Sequence, residues 1–151
     1  MNRNSKEASF EDVLEIHPYL IDKTLLGGRL ERQYPITLPD GRFNYIDLIY
    51  FKENEIVVVE LKRERIVKKD ISQLTGYIRY IRDKFPEMEV RGILVGQGIN
   101  EEDLHALEMR EFTYKELFKD IPVRIKICSN CRKAVDERKS NCNWCGDKEF
   151  F

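Results

Sequence analysis

The sequence predicts an α/β protein: a mixed β-sheet core flanked by helices, followed by a small cysteine-clamped C-terminal module. Three observations carry this expectation. Residues 43–51 and 56–61 are β-rich runs separated by a polar turn. Ile71, Leu74, Ile78 and Ile81 recur at helical spacing, and all four cysteines fall in the last quarter of the chain.

Taken in order, Ser9-x-x-Asp12 has the form of a capping box and opens a first helix over residues 10–17, with Val13, Leu14 and Ile16 as apolar contacts. Residues 30–38 read as a strand, Pro39-Asp40-Gly41-Arg42 as its turn, and 43–51 as the next strand. Lys52-Glu53-Asn54-Glu55 then turns the chain into a strand over 56–61, so that 43–51 and 56–61 form a hairpin. A helix over 67–85 follows, then a buried-looking strand over 90–96, a short helix over 101–108 capped by Asn100, and a last strand over 123–127 leading into Cys128. The order αβββαβαβ suits a mixed sheet with helices packed on it.

Two groups of side chains carry chemistry on this frame. Glu60 and Lys62 are two apart at the end of a strand and emerge on one face, with Leu61 pointing the other way. If the hairpin is centred on its turn, Asp47 lies across from Glu60. Two carboxylates so placed repel one another and favour a cation between them. Mg²⁺ or Mn²⁺ suits this set, with Asp47 and Glu60 as ligands and a backbone carbonyl at Leu61 as a neutral one. Lys62 would stay uncoordinated and steady an attacking water or a phosphate, an arrangement fit for phosphodiester cleavage. The plain alternative is a surface strand pair with a cross-strand ion pair. Gln73 and Tyr77, four apart on the following helix, share a face that can point toward the same cluster.

With these residues in hand, the chain resembles the PD-(D/E)XK nuclease superfamily in its RecB-like branch, and within it the catalytic domain of NucS/EndoMS-type endonucleases. The stretches that carry the likeness are Gly41-Arg42-Phe43-Asn44-Tyr45-Ile46-Asp47-Leu48-Ile49, Val57-Val58-Val59-Glu60-Leu61-Lys62-Arg63 and Gln73-Leu74-Thr75-Gly76-Tyr77-Ile78-Arg79-Tyr80-Ile81. His17-Pro18-Tyr19-Leu20-Ile21 and Arg32-Gln33 are similar to further family stretches. The resemblance implies a restriction-endonuclease-like fold, Asp47 and Glu60 as metal ligands, Lys62 as catalytic lysine, and Gln73 and Tyr77 beside the site. It also implies a glutamate from the first helix near the metal, Glu15 first and Glu11 second. A homodimer is among the arrangements it allows. A chain of 151 residues is expected to lack the separate N-terminal DNA-binding domain of NucS-type enzymes, which leaves substrate preference and dimer geometry open.

Cys128-x-x-Cys131 and Cys142-x-x-Cys145-Gly146 form two CxxC knuckles, a zinc-ribbon pattern whose four thiolates fill a tetrahedral Zn²⁺ shell and make the site structural. Two disulfides or a redox CxxC are the alternatives. Gly146 supports the ribbon through the tight turn it permits. Trp144 is either a packing residue of the ribbon or a base-stacking contact. His17 and His105 are isolated and receive no metal role.

Length and composition bound the rest. With 151 residues, 42% of them hydrophobic, the chain can bury one core, and its last two dozen or so residues need a metal to fold. The expected division is a disordered stretch 1–8, a nuclease-like domain 9–127 and a zinc ribbon 128–151. No transmembrane span or signal peptide is recognisable, so the expected location is cytoplasmic, with no membrane partner. A net charge of −1 does not announce a nucleic-acid binder, yet Lys62, Arg63, Arg65, Lys68 and Lys69 gather beside the predicted site. The reading is a Mg²⁺- or Mn²⁺-dependent DNA endonuclease with a structural Zn²⁺. Its alternatives are a non-catalytic binding module on the same fold and a structure-specific junction resolvase of the superfamily.

Overall fold

A computed structural model describes residues 5–151, with side chains from Ser9 onward. The elements are α1 (Ser5–Ile16), a 3-10 turn (Pro18–Leu20), β1 (Arg29–Thr37), β2 (Phe43–Phe51), β3 (Glu55–Leu61), α2 (Lys68–Lys84), β4 (Glu89–Gly96), α3 (Glu101–Met109), β5 (Thr113–Glu116), β6 (Ile125–Ile127) and β7 (Ala134–Asp136). They fall into two compact units, one from the residues up to Leu26 with Leu117–Phe151, the other Gly27–Glu116.

The second unit holds a five-stranded mixed sheet in the order β1-β2-β3-β4-β5. β1, β2 and β3 are antiparallel neighbours, as short turns dictate, while β4 and β5 join in parallel through α2 and α3. Ile56, Val57, Val58 and Val59 are all 0% exposed, which explains an unbroken apolar run where a half-buried strand would alternate. The α2 stripe of Ile71, Leu74, Tyr77, Ile78 and Ile81 packs with Ile49, Ile56, Val58 and Leu94 in one core. Gly92 lets the layers close: a Cβ there would meet Phe112, Ile78 and Leu74 at 3.1 to 3.3 Å.

The expected strands and helices of this unit appear, with one addition. Thr113–Glu116 supplies a fifth sheet strand at the edge, four half-buried residues with too little apolar content to declare themselves.

In the first unit, α1 begins at Ser5, so Ser9 lies inside the helix and does not cap it. Lys6, Glu7 and Ala8 are good helix formers and extend it upstream. Of the stretch 1–8 expected to be disordered, Ser5 to Ala8 belong to α1 and residues 1–4 lie outside the described residues. The strand expected over 123–127 is shorter and does not enter the main sheet. Its residues Ile125–Ile127 pair antiparallel with Ala134–Asp136 and form the two-stranded sheet beneath the cysteine knuckles. Three consecutive half-buried residues pair wherever an edge is at hand, and only the tertiary fold selects which edge.

Among the described residues no helix is long and apolar enough to cross a membrane.

Candidate functional site

The register of β2 against β3 pairs Leu48 with Val59 and Ile49 with Val58, so one further step along both strands sets Asp47 opposite Glu60. Ile49 and Val58 point into the core under α2, and residues two apart share a face, so both acids lie on the α2 side of the sheet. Each is tied to the other's strand: Asp47 N–H donates to Glu60 Oε1 at 3.0 Å, and Leu61 N–H donates to Asp47 Oδ2 at 2.9 Å. Leu61 itself pairs with Val95 of β4. Gln33 on β1 donates through Nε2 to Asp47 Oδ1 at 3.3 Å. Its backbone sits at φ 51°, a left-handed conformation that a non-glycine residue holds only under constraint.

α2 closes the site from above. Tyr77 is 2% exposed, and the Asn44 and Gln73 side chains come near enough to its hydroxyl to favour the ionised phenol slightly. Burial pushes the phenol above its ordinary value, and the nearby charges of Glu60 and Asp47 push it the same way. The Tyr77 hydroxyl thus lies within the electrostatic field of both carboxylates. Gln73, one turn earlier, is exposed on the same side of the helix.

Lys62 follows β3 with its N–H on Val95 O at 2.8 Å, and its Nζ contacts Asp70 Oδ1 at 2.9 Å. Asp70 is 5% exposed, and its other oxygen accepts Val67 N–H at 2.8 Å, which caps the start of α2. Asp70, Gln33 and Asn44 were not among the sequence-derived site residues. Asp70 reads from sequence as an ordinary first-turn acid of a helix, and only the fold brings it to Lys62. Past Asp47 on the same face, β2 carries Tyr45 and Phe43, 36% and 74% exposed. Arg65, Lys68 and Lys69 are exposed and Arg63 is half-buried. Glu15 and Glu11 belong to the first unit; Glu15 is exposed and Glu11 is buried.

Asp47 and Glu60 fit a divalent cation by donor chemistry: two hard oxygen donors face each other across adjacent strands, on the sheet face covered by α2. The cysteine centre fits a soft one. The four Sγ atoms lie within 4.8 Å of one another, with Cys128–Cys145 and Cys131–Cys142 at 3.6 Å. Bonds of about 2.3 Å from zinc to sulfur imply tetrahedral edges near ~3.8 Å, whereas a disulfide needs about 2.05 Å. The cysteines are free, and these four could bind a metal such as zinc.

The knuckles repeat one geometry. Arg132 N–H donates to Cys128 O at 2.9 Å with φ 63°, and Gly146 N–H donates to Cys142 O at 2.8 Å with φ 85°. Cys145 is drawn down to about 6 by the Asn130 amide and the Asp147 N–H. Cys131 is pushed up to about 11: the Lys133 N–H favours its thiolate, but burial and the neighbouring sulfurs outweigh it. Four such thiols ionise together only around a cation. Trp144 packs here, donating Nε1–H to Ala134 O at 3.0 Å and meeting Tyr19 edge-on at 5.1 Å. His17 bonds Tyr19 at 2.7 Å and stands apart from the sulfurs in role.

The chain is similar to known proteins in sequence and in fold. Endonuclease NucS of Methanocaldococcus jannaschii is 30% identical over 118 residues, covering 78% of this chain and 42% of that protein. Endonuclease NucS of Pyrococcus furiosus is 26% identical over 159 residues, covering 90% and 58%. The chain thus spans about half the length of these curated relatives. Two solved structures share the fold at 23% identity, each over 77% of this chain: an EndoMS–dsDNA complex, with TM-score 0.61 over 46% of that chain, and a repair endonuclease from Pyrococcus abyssi, with TM-score 0.59 over 48%. The family model of the endonuclease NucS C-terminal domain matches residues 6–135, most of the 151, and the chain therefore belongs to that family.

Proposed function

We propose that this chain is the phosphodiester-cleaving module of a Mg²⁺- or Mn²⁺-dependent DNA repair endonuclease of the PD-(D/E)XK type. The observation that carries the reading is the pairing of Asp47 and Glu60 across β2 and β3 on the face that α2 covers, with the buried Tyr77 phenol in the field of both acids. A charged hairpin on a protein surface has no need of a buried phenol closing over its acids. Asp47 and Glu60 would hold the cation, with Leu61 offering its carbonyl. The bound cation would acidify water and stabilise charge on the phosphate. Lys62 would orient the attacking water or the scissile phosphate, and Gln73 and Tyr77 would fix the carboxylates and exclude competing hydrogen bonds. Lys68, Lys69 and Arg65 give the DNA backbone cationic partners at the start of α2.

The same proposal assigns residues 9–127 to the nuclease-like part and 128–151 to a structural Zn²⁺ ribbon that assists substrate or partner binding, in a protein that acts as a homodimer. The test is cleavage of a panel of single-stranded, branched and mismatched DNAs with Mg²⁺ and Mn²⁺. At least one DNA should be cut by the parent protein and none by Glu60→Gln. Parent-like turnover by Glu60→Ala would remove the assignment.

A further inference from the structure

Lys62 has a long, flexible side chain with much rotamer freedom to lose on being held. The structure holds it at three levels. Its own backbone is bonded to Val95 of β4. Gln97 N–H to Glu64 O at 2.9 Å and Ile66 N–H to Gly98 O at 2.8 Å fasten the segment that follows. Ile66 rests on Gly96, where a Cβ would lie 2.6 Å from two of its atoms. The ammonium itself is met by Asp70.

An acid in the first turn of a helix needs only one oxygen to cap it, and here Oδ2 on Val67 N–H serves that purpose. The second oxygen, on a carboxyl that is 5% exposed, is spent wholly on Lys62. A buried carboxylate without a cation is costly, so the two charges fix each other. Asp70 also precedes Gln73 by three residues and Tyr77 by seven on α2, which puts all three on one stripe of the helix.

We propose that Asp70 is the positioning residue for Lys62, holding its ammonium in place through a carboxylate that also anchors the start of α2. The proposal rests on the nuclease reading above. It makes the helix contribute three groups to the site, in the pattern D-x-x-Q-x-x-x-Y, and ties the lysine's position to the same rigid element as the amide and the phenol. Part of the entropy of orienting Lys62 is then lost on folding and need not be lost at the transition state.

Asp70→Asn tests this, because the amide oxygen can still accept the Val67 N–H while the charge is gone. The expected result is a fall in kcat of about 10–100-fold with KM for DNA within about twofold of the parent. The Lys62 side-chain ammonium, followed by NMR on lysine-labelled protein, should become as mobile as exposed lysines. Asp70→Glu, which keeps the charge, should recover part of the rate and serves if the asparagine variant folds poorly. In the background of Lys62→Met, Asp70→Asn should cost nothing further, since the group it positions is absent. Additive losses in the double variant, or an unchanged Lys62 signal in Asp70→Asn, would overturn the positioning role while an active parent leaves the nuclease reading standing. A parent inactive on every DNA would overturn the nuclease reading, and any catalytic role of the pair with it, even with the NMR result intact.

Discussion

Asp47 and Glu60 hold one another's strands: the Asp47 N–H is bonded to the Glu60 carboxylate, and the N–H that follows Glu60 is bonded to the Asp47 carboxylate. The acids of the site are therefore also ties in the sheet. Replacing Asp47 by Ala leaves the Leu61 N–H without its acceptor, at about 1–3 kcal/mol, whereas Asn keeps an acceptor there. Asp47→Asn and Glu60→Gln should abolish most cleavage with melting temperatures near the parent's, and Asp47→Ala should lose both. DNA binding without metal should be retained or tightened in all three, as one phosphate-repelling charge is removed. Cleavage, thermal melts and binding titrations on the same preparations check this.

Tyr77 offers a pH test with a defined sign. Its folded-state value lies above the ordinary 10.0, chiefly through burial and then through Glu60 and Asp47. Between pH 9 and about 11 the unfolded chain releases this proton while the folded one keeps it, so the group's contribution to stability falls as pH rises through 10. Tyr77→Phe should remove that dependence, flattening the difference in denaturant midpoint between pH 9 and 11. Its cleavage rate should fall by about 10-fold or less, and that of Gln73→Ala by about 10–100-fold. Parent rates in both variants and in the double variant would detach α2 from the chemistry.

The cysteine centre should contain about one zinc per chain by elemental analysis. Trp144 is the only tryptophan, and it packs against Cys128, Val135 and Cys142, so its fluorescence reports on this unit alone. Removing the metal with a strong chelator under reducing conditions should shift its emission to the red. Brief EDTA, by contrast, should stop cleavage reversibly on Mg²⁺ addition and leave the emission unchanged. A protein without metal and with native Trp144 emission would contradict the ribbon.

The two knuckles differ at one position of equal geometry, Arg132 at φ 63° and Gly146 at φ 85°. Gly146→Ala has open space for its Cβ but a left-handed backbone, and should cost about 1–2 kcal/mol. Arg132→Gly relieves the same strain and should be neutral or slightly stabilising. Chelator-titration midpoints for the two variants should move in opposite directions or only for Gly146→Ala.

Phe43 and Tyr45 extend the face of Asp47 outward along β2, and Phe43 is 74% exposed. Phe43→Ala should leave stability within about 0.5 kcal/mol. If a substrate base stacks there, affinity for the cleaved DNA should fall by about 1–3 kcal/mol, measurable by fluorescence anisotropy. Unchanged affinity would confine the DNA to the other side of the acids.

Much of this protein is legible in the amino-acid order because its signals are local. Period-2 and period-3.6 patterns mark the strands and α2, the turn at 52–55 sets the hairpin register that brings Asp47 to Glu60, and the spacing of Cys128, Cys131, Cys142 and Cys145 marks the knuckles. What the order leaves undecided depends on pairings between distant segments. Thr113–Glu116 becomes a strand only because β4 presents a parallel edge, and Ile125–Ile127 leaves the main sheet because β7 presents another. Asp70 looks like a helix cap until the loop folded over Gly96 carries Lys62 to it. Local periodicity encodes which face each residue occupies; which buried charge meets which partner is decided by the packing of α2 on the sheet, where an unpaired carboxylate would be too costly to keep.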